Sequence, residues 1–506
     1  MTKGEFFYSV TLAFLGGLLS FVAAAGRRDG QRLTVFFLGS FALRAGLVFL
    51  NERFNVFPQK HATVFAWRLM DQEGGLWAIF GRHIFSRDNL PKLKFFLEAL
   101  FNAPALLLFE NAPIMLNLTN CFVGAASGIV VFAYGVRLFG RRVAILTLLI
   151  TSFFPVAINF SLFGLRDIIV YFFLLAEIFS FSWLMLRDDH RAANLFVFAG
   201  SFICVVIQRM AFLPFLLILP AWFVLTSTLR ALRGVQDRPR RMLLGGIAAI
   251  GLFSAGAGAL VMSYSVVLHH VGIDKLGTPD VLLSQYAAER AWRGYDPVQY
   301  EQEWRSSHKA GDYSPAEGRA AGSEYLPAKT YLRLPWLGRV LVQVVGFIVI
   351  PFPWQLNALA RVLAMFDSIV VMICIYGAWR AHGMLRPLTA EGAPLPTSRA
   401  IALRTLSLAL LLSFLLSWLG FAMLVSDAGN AFRMRLSVVP FIILGASMYV
   451  ASAPWVGRLE GLLRRVSNFV ATTMRIGLDR CQHRGRAVAD PQPTMAAFET
   501  ACEYGR

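Results

Sequence analysis

Charge is scarce in this sequence: only 15% of its 506 residues are charged and 57% are hydrophobic. A soluble globular protein carries about a quarter charged residues, so an ordinary water-soluble enzyme is excluded, and a disordered chain with it. Acidic residues are the scarcer sign, 30 against 48 basic, and only seven of the basic residues are lysine. Five cysteines, scattered through apolar runs (Cys121, Cys204, Cys374) and a basic C-terminal stretch (Cys481, Cys502), are too few for a disulfide framework. Short alternating segments divided by turns are missing, which argues against an outer-membrane barrel. There is no glycine-rich phosphate loop before Lys-Ser/Thr, no HExxH and no CxxC. Internal repeats and low-complexity tracts are absent too.

What is present is apolar length. Phenylalanine occurs 44 times, the mean hydropathy is +0.57, and apolar runs of about 17 to 25 residues recur along the chain. The expected fold class is all-α, a polytopic transmembrane helical bundle. About eleven spans are expected, at 7–25, 33–50, 112–136, 143–160, 167–186, 193–208, 211–229, 242–266, 362–380, 403–425 and 435–453. The first run lacks a convincing cleavage site and reads as a retained helix. Alternate connections are rich in arginine: Arg27, Arg28 and Arg32; Arg137, Arg141 and Arg142; Arg187 and Arg191; Arg230 to Arg241; Arg380, Arg386 and Arg399; and a tail from Arg458 onward. The positive-inside rule places these in the cytoplasm. The net charge of +18 is thereby explained by topology, with no nucleic-acid partner required.

The expected organisation is an extra N-terminal helix (1–32), a transmembrane module (33–266) with a first outer loop (51–111), a large outer loop (267–361), C-terminal helices (362–454) and a basic cytoplasmic tail (455–506). The first outer loop carries possible amphipathic helices, readable either as surface helices on lipid or as a roof over a membrane cavity. Residues 338–355 are apolar enough to span, but two prolines and a tryptophan at their end favour a re-entrant or interfacial segment.

Charged groups at membrane depth default to functional candidates. Arg44, Glu177 and Asp367 lie inside expected spans. A second set falls at outer helix ends: Arg166 and Asp167 in SLFGLRD, Arg209 in QRM, and Asp427, Asn430, Arg433 and Arg435 in SDAGNAFRMR. If those ends converge, four arginines and two aspartates surround one outer site. Arginine grips phosphate oxygens bidentately, and a neighbouring carboxylate can take a proton from an acceptor hydroxyl. Each has a plainer reading as well. Asp167 can cap its helix with Arg166 beside it, and Arg433 and Arg435 can be interfacial anchors.

With LFGRRVAILTLLITSFFPVAINFS, SLFGLRD, QRM and GNAFRMRLSVVPFIILGA in this order, residues 33–453 resemble the GT-C superfamily of integral-membrane glycosyltransferases, which use polyprenyl-phosphate-linked sugars. The resemblance implies a polyprenyl-(di)phosphate sugar donor, a glycan or lipid acceptor and transfer on the outer face of a bacterial cytoplasmic membrane. It implies Arg166, Arg209, Arg433 and Arg435 as phosphate ligands, and Asp167 as base with Asp71 and Asp427 behind it. One departure is plain. Metal-using members carry an acidic residue or pair early in the first outer loop, where QKHATVFAW places His61, and Asp71 and Glu73 follow only later. Either the base has moved, or the protein is metal-independent, as in O-antigen ligases and polymerases; a divalent metal stays open as cofactor. Two other readings stand beside this one: a transporter or lipid flippase, kept alive by Glu177 and Asp367, and a non-catalytic scaffold of an envelope polysaccharide assembly complex.

Overall fold

The computed structural model of the chain describes residues 3–24, 27–54, 101, 113–162, 167–208, 217–232, 335–349, 359–384, 397–424 and 434–452. Among them twelve helices and no strand occur: α1 (Lys3–Ala23), α2 (Arg27–Phe54), α3 (Pro113–Phe139), α4 (Arg141–Phe153), α5 (Pro155–Leu162), α6 (Asp167–Leu186), α7 (Arg191–Gln208), α8 (Ile218–Leu232), α9 (Trp336–Val349), α10 (Leu359–Met384), α11 (Thr397–Leu424) and α12 (Pro440–Ala451). The chain divides into a unit of residues 1–449 and a unit of 450–506. Only residues 450–452 of the second are described, so the basic tail lies outside the described residues.

Six of these helices are long and apolar enough to cross a bilayer: α1, α2, α3, α6, α7 and α11. They correspond to the expected spans at 7–25, 33–50, 112–136, 167–186, 193–208 and 403–425. Leucine and phenylalanine faces left exposed on α1 and α11, such as Phe7, Phe14, Leu415 and Leu416, are the outward surface such a protein turns to lipid. α10 covers 362–380, α8 covers part of 211–229, and 242–266 lies outside the described residues.

Three expectations are corrected. The span at 143–160 is not one helix: α4 and α5 meet at a 43° bend. Pro155 has no N–H and its ring clashes with the preceding turn, so it ends one helix and opens the next. The span at 435–453 is interrupted in the same way, with helical residues 434–438, a turn at Val439 and a restart at Pro440. Arg27, Arg28 and Arg32 are not loop residues, because α2 already begins at Arg27. α9 starts at Trp336 and is described as far as Val349; the rest of 338–355 lies outside the described residues.

α3 stands at the centre of the N-terminal half and packs against α1, α2, α4 and α6. Small residues permit the close approach. A Cβ on Gly135 would meet the Cα of Ala144 on α4 at 3.1 Å, and one on Gly128 would meet Leu148 Cδ1 at 2.7 Å. Gly377 of α10 and Gly445 of α12 form a reciprocal crossing, where a Cβ on either would lie 3.0 Å from the other helix's alanine Cα. α6 is the most enclosed element, 89% of its apolar window being buried. At the arginine-rich end Arg141 pairs with Asp29 at 2.5 Å, joining the starts of α2 and α4. Arg187 there lies over Trp183, 5.1 Å from the ring centre. These contacts put two of the arginine-rich connections on one side of the bundle, as the charge pattern expects.

Candidate functional site: a buried polar belt at the broken helix

The α4–α5 break frees backbone donors inside an apolar bundle, and each must find an acceptor. Asp367 of α10 supplies one, its Oδ1 accepting from the Val156 N–H at 3.2 Å. Its other oxygen accepts from Arg435 Nη1 at 3.1 Å. Arg435 further donates to Ser368 Oγ at 2.9 Å and, through Nε, to the Phe347 carbonyl at 2.8 Å. Asp367 is 0% exposed and Arg435 1%. One ion pair thus links α5, α9, α10 and residues 434–438. Trp418 of α11 adds a bond to the Val344 carbonyl at 3.1 Å.

A second polar knot lies where α2 meets the other side of the break. Arg44 donates through Nε to Ser161 Oγ of α5 at 3.0 Å, and through Nη1 to the Ser40 carbonyl at 3.2 Å and to Ser40 Oγ. Ser40 Oγ reaches the Ser152 carbonyl of α4 at 3.3 Å. Cys121 of α3 donates to the Ser161 carbonyl at 3.6 Å. Between the two knots stands Tyr171 of α6, fully buried, its hydroxyl within electrostatic reach of both Arg44 and Asp367. The two knots share a level. Arg44 lies roughly 25 Å along α2 from Arg27, and Val156 and Asp367 roughly 20 Å along their chain segments from Arg141 and Arg380. The belt therefore sits in the half of the bundle remote from the arginine-rich connections.

The candidate residues fall as follows. Asp167 is the first residue of α6 and 1% exposed, where the helix dipole favours a carboxylate. Asp367 and Arg435 come together. Arg435, expected at the outer mouth as a phosphate ligand, is instead committed to the interior, because a buried carboxylate neutralises it there. Glu177, on the enclosed α6, is 0% exposed and neither carboxylate oxygen has a hydrogen-bond partner. His61, Asp71, Arg166, Arg209, Asp427, Asn430 and Arg433 lie outside the described residues. Among the described residues no three of His, Cys, Asp and Glu lie close enough to hold a metal ion. Sequence reasoning missed Tyr171, Ser161 and Ser368. A serine or tyrosine in an apolar run carries no sign of which charge it faces.

Glu177 yields a prediction of unusual sign. A buried group without a partner costs about 1–3 kcal/mol, so Glu177→Leu is expected to raise the thermal unfolding temperature in detergent. A lowered temperature would mean that the carboxyl has a stabilising role the fold does not display.

No family model matches this chain, and no curated protein matches it. The geometry itself gives an all-helical protein of membrane type, with a polar belt enclosed at a helix break.

Proposed function

We propose that this protein is an integral-membrane glycosyltransferase or polysaccharide polymerase. It takes a sugar unit from a polyprenyl-(di)phosphate carrier and attaches it to a glycan or lipid acceptor on the outer face of a bacterial cytoplasmic membrane. About eleven spans carry it, with a helical roof from the first outer loop. The observation that carries this reading is the concentration of polar side chains on one level: Arg44, Tyr171, Asp367 and Arg435 lie toward the end opposite the arginine-rich connections. An outer chamber for an anionic lipid headgroup needs its cationic and carboxylate groups in that half. Arg166, Arg209 and Arg433 grip the donor phosphates and stabilise negative charge on the leaving group. Asp167 takes the acceptor proton, with Asp71 and Asp427 as the other candidate carboxylates.

The test is transfer of a radiolabelled sugar from a polyprenyl-phosphate donor by the purified protein. Arg166→Gln and Arg433→Gln are each expected to lower the rate on the order of a hundredfold. Wild-type rates in both variants count against the assignment, and no transfer with any donor leaves a scaffold. A second reading, a transporter or flippase, draws on the 43° break in α4–α5 and on buried Glu177, since broken helices and intramembrane charges accompany transport. Solute or lipid movement in proteoliposomes without sugar transfer favours it.

A further inference from the structure

The belt holds two buried arginines, and among the described residues only one has a counter-charge. Arg435 is matched by Asp367 at 3.1 Å. Arg44 is 0% exposed, yet its partners are neutral, Ser40 and Ser161, and its Nη2 has no hydrogen-bond partner. A guanidinium does not shed its proton in a protein. An uncompensated one at membrane depth is costly and marks a ligand or ion path by default. Glu177 is not the missing anion. Arg44 lies beside Gly124, level with Ile168 on α6, roughly 13 Å along that helix from Glu177.

Two hydroxyls stand in the same region. The Tyr171 hydroxyl is fully buried, with Thr151 as its one hydroxyl neighbour among the described residues and Arg44 within its electrostatic reach. Thr151, on the last turn before the break, stands next to that hydroxyl, and no hydrogen bond of good geometry joins them. Asp367 is near enough to repel an anion, but Arg435 neutralises it. What remains is a cationic fork whose Nη2 has no acceptor, beside an adjacent pair of hydroxyls that can satisfy one of their two protons between themselves.

We propose that Arg44, Tyr171 and Thr151 form a binding subsite for a phosphate-type oxyanion beside the α4–α5 break. Nη2 offers two N–H donors to phosphate oxygens, and the hydroxyls offer one each. A phosphate carried on a lipid and free inorganic phosphate share this chemistry. The choice of the lipid-borne group rests on the transferase reading, while the oxyanion subsite does not.

The experiment uses the full chain in nanodiscs, titrated with a short-chain prenyl phosphate, the matching uncharged prenol and inorganic phosphate, with thermal unfolding and binding as readouts. Prenyl phosphate is expected to raise the unfolding temperature and prenol to leave it unchanged. Arg44→Gln should weaken prenyl phosphate about tenfold or more, Tyr171→Phe several-fold, and Arg44→Lys less than Arg44→Gln. Inorganic phosphate bound with the same Arg44 dependence supports the subsite and names the free anion as its source. Where Arg44→Gln does not fold, Arg44→Lys and Tyr171→Phe carry the comparison. The subsite is overturned if neither anion stabilises the wild type, or if the folded variants bind as the wild type does. Arg44-dependent binding in a protein that transfers no sugar keeps the subsite and removes the transferase. Full sugar transfer with unchanged affinity in Arg44→Gln does the reverse.

Discussion

Arg435→Met is expected to destabilise the bundle by about 3–5 kcal/mol, and Asp367→Leu by a similar amount, whereas the double variant costs far less than either alone. The reason is the asymmetry of a buried pair. Asp367 and Arg435 are both enclosed and face each other at 3.1 Å. Removing the arginine leaves a carboxylate in an apolar interior. Removing the aspartate leaves a guanidinium there and also strips the acceptor from the Val156 N–H at the helix break. Removing both leaves neutral surfaces of similar volume, with the Val156 N–H and the Phe347 carbonyl each losing a bond. A double-mutant cycle read by unfolding in detergent isolates the coupling. Additive losses would mean the two side chains are not each other's counter-charge.

Gly135→Val is expected to cost about 2–3 kcal/mol, near the upper range for overpacking a tight core. A Cβ at this position would sit 3.0 Å from the Ala144 Cβ and 3.1 Å from its Cα. Backbone cannot swing aside as the tip of a side chain can, so α3 and α4 must separate. Gly39, on α2, is the control, since nothing lies within 4 Å of a Cβ built there. Gly39→Val should therefore be near neutral, since valine's helix propensity is a few tenths of a kcal/mol better than glycine's. Equal losses at the two positions would show that α3 and α4 are not in close contact.

The spans were legible to different degrees. Residues 167–186 were read from hydropathy, and α6 runs from Asp167 to Leu186. Long uninterrupted apolar runs report the transfer free energy of a whole helix, which needs no knowledge of neighbours. The break at Pro155 was less legible, because apolar residues continue on both sides and a proline in a membrane helix can be accommodated by its neighbours. Of the candidate site, the intramembrane charges Arg44, Glu177 and Asp367 were visible as exceptions to an apolar background. Their fates were not. Asp367 found Arg435 68 positions away and Val156 211 positions away. Among the described residues Arg44 found only hydroxyls and a carbonyl. Arg166, Arg209 and Arg433 lie outside the described residues.

From the amino-acid order alone came the helical class, the membrane habit and the side on which arginines collect, because each depends on summed transfer and charge terms along a single segment. Which buried charge is neutralised and which is left open was decided only by the packing of α2, α5, α6 and α10 around one broken helix. Electrostatic compensation over a few ångströms depends on which helices become neighbours, and no local run of residues specifies that.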